Sequence, residues 1–116
     1  MTKWQNKKKI YIATPYEAML KKGYSLNEVI NEAKKGLNIA IIKFDRNKYR
    51  FFSPVLEFGI KHKDTPRDEV MNLCFNELKK CNIIYIPNLT QSENSSGIKA
   101  EIEFAKKHQI TIIKEI

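Results

Sequence analysis

The sequence is poor in the residues that punctuate or cross-link a chain: four glycines, four prolines, two cysteines and two histidines among 116 residues. No apolar run approaches the roughly 20 residues a membrane-spanning helix needs. The few glycines form neither a P-loop nor a dinucleotide fingerprint. No nucleophile elbow supports a Ser–His–Asp hydrolase. Cys74 and Cys81 lie in one helical segment and its end, which is neither a disulfide framework nor a metal motif. They read as reduced, buried thiols of a cytoplasmic protein. His62 falls in a charged loop and His108 at a helix end. Neither has a partner that suggests a metal or a triad, so both read as surface residues, and no metal or cofactor is expected. The opening "MTKWQNKKKIYIA" is basic, but its apolar stretch is short and lacks a small-residue cleavage site. Repeats, low-complexity segments and linkers are also missing.

What is there describes one globular domain over residues 1–116, with 42% hydrophobic and 29% charged residues. The net charge of +8 invites a nucleic-acid reading. The lysines, however, are spread as pairs on predicted helix surfaces and ends, interleaved with glutamates. A solvated surface that also attracts small phosphorylated ligands fits better than a nucleic-acid interface.

"KKIYIAT" (8–14) is a β-branched and aromatic run closed by Pro15, and reads as a buried central parallel strand. From Ser25 to Lys48 the apolar residues Leu26, Val29, Ile30, Ala33, Leu37, Ala40, Ile41 and Phe44 keep the spacing of one helical face. Ser25 and Glu28 make a capping box. Gly36 falls off that stripe, at a tolerable cost of about 1 kcal/mol. A strand at "LNIAIIKF" competes with the helix, which is preferred. "YRFFSPV" (49–55) is the second strand, followed by a polar connection. Thr65 is placed to cap the next helix, with Pro66 at its first position. That helix runs to about Lys80, with Val70, Met71, Cys74, Leu78 and Cys81 inward. "NIIYIP" is the third strand, residues 97–108 the last helix and "ITIIKEI" the last strand.

The order is α/β with a small parallel sheet, Rossmann- or flavodoxin-like, in three layers with helices on both faces. The expected strand order is 2-1-3-4, and ligands in such sheets bind at the carboxyl ends beside the switch point. Two segments meet there: "ATPYEA", with Thr14 and Tyr16, and "PNLTQSENSSG", with Asn88, Ser95, Ser96 and Gly97. The second opens the last helix, "NSSGIKAEIEFAKK". A helix amino end offers free N–H groups and a positive dipole to a phosphate or carboxylate. Ser95 and Ser96 add hydroxyls, and Gly97 permits close approach. Glu101, one turn further on, is then placed to attack an electrophilic carbon, while Glu103 reads as a solvent-facing partner of nearby lysines. Trp4 and Tyr16 are candidates to stack on a base, and Glu57 is a second carboxylate near the mouth.

Taken together, "IYIATPY", "FFSPV" and "SENSSGIKAEIEFAKK" resemble the nucleoside 2-deoxyribosyltransferase-like proteins over nearly the whole chain. That group contains transferases, nucleotide N-glycosidases and many short bacterial and phage proteins, and the short members are the most similar. The resemblance implies that Glu101 is the nucleophile that attacks the sugar C1′ and that Tyr11 supports it. It implies that Ser95 binds a phosphate and that Ala105 allows close helix packing. It also implies a homo-oligomer. Two departures stand out. Asn82 occupies a position where members usually carry an aspartate that handles the leaving base; it can hydrogen-bond but cannot act as an acid. The loop after strand one lacks arginine, and Lys21 or Lys22 would have to replace its charge. Three functions remain open: N-glycosidic cleavage or transfer on a nucleoside or nucleotide, nucleotide binding without turnover, and nucleic-acid association.

Overall fold

A computed structural model describes residues 7–116; Trp4 lies outside the described residues. Four strands, β1 (Lys8–Ile12), β2 (Tyr49–Phe52), β3 (Ile83–Ile86) and β4 (Thr111–Lys114), form one sheet in the order β2-β1-β3-β4, and every pairing is parallel. Five helices connect them: α1 (Glu17–Lys21), α2 (Leu26–Lys43), α3 (Pro54–Phe58), α4 (Arg67–Leu78) and α5 (Ser96–Lys107). The fold class and strand order are those expected. No helix among the described residues is long and apolar enough to cross a membrane.

Alternation along the two central strands sorts the core into layers. Ile10, Ile12, Ile83 and Tyr85 pack with Ala40 of α2 on one face. Tyr11, Ala13, Ile84 and Ile86 pack on the other, with Cys74 and Leu78 of α4 and Ile98 and Ala105 of α5. Since β1 and β3 are covered on both faces, their runs are almost wholly apolar. This parity decides the chemistry, because Tyr11, an odd-numbered strand residue, must point at α4 and α5.

Helix α2 holds over 18 residues with the Ser25–Glu28 capping box formed in both directions. The competing strand at "LNIAIIKF" does not form. Gly36 has a different role from the one expected. It is buried, and a Cβ there would stand 2.7 Å from Thr14 Cγ2 and 3.2 Å from Pro87 Cγ. Its missing side chain lets α2 approach the carboxyl ends of β1 and β3.

The connections differ from expectation at three places. Strand two stops at Phe52, because Ser53 caps a short helix by accepting from the Leu56 N–H at 3.3 Å, with Pro54 in its first turn. The stretch after Pro15 winds into α1 instead of remaining a loop. Thr65 does not cap α4: Pro66 takes that position without a side-chain cap, and the Thr65 hydroxyl lies 3.1 Å from His62 Nδ1.

Candidate functional site

A cavity of about 260 Å³ opens beyond the carboxyl end of β1. Its wall is built from three regions. Thr14, Tyr16 and Glu17 follow β1; Phe58, His62 and Arg67 come from the α3–α4 region; Ser95, Gly97 and Glu101 belong to the start of α5. Cys74 of α4 and Val70 and Met71 beside it complete an apolar side.

Glu101 is 5% exposed. It comes to the cavity because α5 begins at Ser96 and places residue 101 one and a half turns in, on the face that covers β1. There the Tyr11 hydroxyl donates a hydrogen bond to Glu101 Oε2, joining residues 90 apart in sequence. Burial raises the Glu101 carboxyl from its ordinary 4.5 to about 7, against the Tyr11 hydrogen bond and the Arg67 charge, which pull it down. Tyr11 is pushed well above the usual phenol value, first by burial and then by the Glu101 charge. Cys74 is raised to about 11, by burial and then by Glu101, so its thiol stays protonated.

Ser95 is the N-cap of α5, 3% exposed, and its hydroxyl accepts from the Ile98 N–H at 3.2 Å. Gly97 lines the cavity and leaves room for Arg67 as it lies, since a Cβ there would have to push the guanidinium Nη2 aside. Tyr16 lies at the rim, its hydroxyl donating to the Gly59 carbonyl at 3.0 Å. Thr14 is 5% exposed, and its Oγ1 has no partner.

Three expected contacts lie elsewhere. Ser96 is exposed and does not line the cavity. Asn88 is exposed beside Ile39, Ile42 and Tyr85, on the α2 side of the sheet. Asn82 sits at the amino end of β3, where its Oδ1 accepts from the Lys9 N–H and its own N–H bonds the Lys9 carbonyl, both at 2.9 Å. It braces two strand starts, at the opposite end of the sheet from Glu101. Glu57 is exposed on α3 and takes no part in the cavity wall. Glu103 pairs with Lys106 at 3.3 Å.

Glu17, His62 and Arg67 line the cavity, and the sequence assigned none of them to a site. His62, expected on the surface, is half-buried against Phe58 with ring centroids 5.7 Å apart. His108 is exposed and lies 4.2 Å from the Phe104 ring. Arg67 of α4 brings a guanidinium to the cavity wall, while Lys21 pairs with Glu17 at 3.2 Å. The one signal available for Arg67 was its position at the first residue of a helix, where a basic side chain is electrostatically misplaced. Among the described residues, no group of three or more His, Cys, Asp or Glu is gathered to hold a metal ion.

A family model described as "Domain of unknown function (DUF4406)" matches residues 8–114. The chain belongs to the DUF4406 family. No curated protein and no solved structure gives a significant match. The DUF4406 match runs from β1 to the end of β4, so Tyr11, Thr14, Arg67, Ser95 and Glu101 all lie within it.

Proposed function

We propose that this DUF4406 protein cleaves or transfers at the N-glycosidic bond of a nucleoside, nucleotide or related nucleobase–sugar compound. The observation that carries the reading is Glu101. A carboxylate 5% exposed, on a cavity wall and held by a buried tyrosine hydroxyl, is an arrangement suited to covalent catalysis. Tyr11 occupies Oε2 and fixes the carboxyl plane, which leaves Oε1 to attack. In the proposed step an Oε1–C1′ bond forms and the C1′–N bond breaks. The base leaves with that electron pair and takes a proton from solvent. Water, or a second base, then attacks C1′ and releases Glu101, as in a retaining glycosidase. The apolar side formed by Val70, Met71 and Cys74 suits the flat faces of a base. A homo-oligomer belongs to the same proposal and is checked by light scattering.

The test is free-base release from ribo- and deoxyribonucleosides and their monophosphates, with and without an acceptor base. Wild type is expected to release base, and Glu101→Gln to lose at least about a thousandfold in kcat/KM, since a carboxamide cannot form the glycosyl ester. Acceptor dependence separates transfer from hydrolysis. Ligand-induced thermal shifts without base release would replace this reading with nucleotide binding.

A further inference from the structure

Helices α4 and α5, twelve residues each, both begin at the cavity, with Arg67 the first residue of one and Gly97 the second of the other. Their amino ends carry partial positive charge, and the α4 end has no side-chain cap. Onto this positive region the fold adds a full cation, the Arg67 guanidinium, lying so close to α5 that a Cβ at position 97 would displace its Nη2. A cation against helix amino ends is unfavourable by itself. Glu17 offsets part of it: its Oε2 accepts from Arg67 Nε at 2.7 Å. That carboxylate is also drawn toward Lys21, through Oε1, and it engages the Nε edge of the guanidinium while Nη2 faces Gly97.

A second observation points to the same place independently. Thr14 lines the cavity, is 95% buried on its 5% exposure, and has an Oγ1 without a partner. Its Cγ2 faces Gly36 on α2, so the hydroxyl is not the atom turned to that helix. Buried hydroxyls without partners are uncommon and unfavourable, so this one is prepared for a ligand.

We propose that Arg67 is the specificity-determining residue of the site, exchanging Glu17 for the phosphate of a nucleoside monophosphate. The rest of the ligand, base and sugar, rests on the glycosidic reading above. The phosphate settles on the cavity side of the guanidinium, beside the start of α5, where a dianion neutralises both, and Thr14 gives the same ligand a hydrogen bond. Glu17 acts as an internal stand-in that holds the guanidinium in place and competes with the phosphate. An uncharged nucleoside cannot displace it.

Competition gives the test a sign that an ordinary structural ion pair lacks. Calorimetric titration of the full chain with inorganic phosphate, and with paired nucleoside and nucleoside monophosphate, is compared for wild type, Arg67→Met, Arg67→Lys and Glu17→Gln. Melting temperatures verify that each variant is folded. Arg67→Met is expected to weaken phosphate and monophosphate binding by about tenfold or more and to abolish the preference for the monophosphate. Arg67→Lys keeps the charge without the fork and falls between. Glu17→Gln removes the competitor and is expected to tighten phosphate binding several-fold. Weakening in Glu17→Gln, as in Arg67→Met, overturns the proposal; so does wild type that binds nucleoside and monophosphate equally. Opposite-signed binding effects with no base release from any substrate remove the glycosidic chemistry and keep the anion site. Base release without a phosphate preference does the reverse.

Discussion

Deep burial of Glu101 sets a conflict between holding a charge and using it. Its carboxyl titrates near 7 in the folded chain, against 4.5 ordinarily. Below about pH 7 it is a neutral acid and a poor nucleophile. kcat/KM for base release is therefore expected to rise about tenfold per pH unit and level off above about 7. A profile flat from pH 5 to 8 would remove Glu101 from the chemical step. The same shift is a stability statement. Between 4.5 and about 7 the folded state keeps a proton that the unfolded state has released, so stability declines as pH rises through that window. At pH 8 the ionised group costs about 3 kcal/mol. Glu101→Gln, which keeps an acceptor for Tyr11, is expected to be more stable than wild type at pH 8 by up to that amount and no more stable at pH 4.5. Urea unfolding at the two pH values checks it. A variant more stable and less active is the usual mark of a site residue.

At the scale of elements, the position of α2 decides whether Thr14 can serve the cavity. Gly36→Ala would gain about 1 kcal/mol of helix propensity, yet its Cβ would press on Thr14 Cγ2 and Pro87 Cγ. Net destabilisation of about 1–2 kcal/mol in urea is expected, because overpacking outweighs propensity. What was legible in the sequence follows the same division. A helix of 18 residues with a capping box and four buried positions carries enough periodicity to be read against a competing strand. Helices of five residues, α1 and α3, make too few turns for periodicity to show, so α1 reads as a loop and α3 as the end of strand two and a polar connection. Ser95 and Glu101 were legible because a helix start and its phase are local features, whereas Tyr11 was marked by the family resemblance alone. Arg67 and His62 were not, since a polar residue at a helix start or in a loop reads as solvated until the third dimension brings it to a cavity. Asn82 and Asn88 illustrate the converse: each lies next to a strand, but at the wrong end or on the wrong side of the sheet to reach the cavity.

Over the whole molecule, the two faces of the sheet carry different duties. The α2 face is apolar packing, while the α4–α5 face holds Tyr11, Cys74 and Glu101 within the core itself. Both cysteines are free and 6% exposed, with thiols raised to about 11 by burial. Reaction with a thiol reagent at pH 8 is therefore expected to be slow in native protein and to accelerate with urea in step with unfolding. Cys74, on the cavity wall, is expected to label before Cys81 and to be slowed by a bound ligand. Labelling of both at the rate of a free thiol would contradict the packing.

The hydrogen bond from Tyr11 to Glu101 spans 90 residues, and β1 pairs only with strands that come after α2 and α4. Such distant partners meet late, since closing so long a loop must precede any reward from the contacts. A chain still emerging from the ribosome has a first strand with nothing to pair against and a tyrosine with no carboxylate to hold. The Tyr11–Glu101 pair is thus among the last things the protein acquires, and half-made chains lack the buried carboxyl altogether.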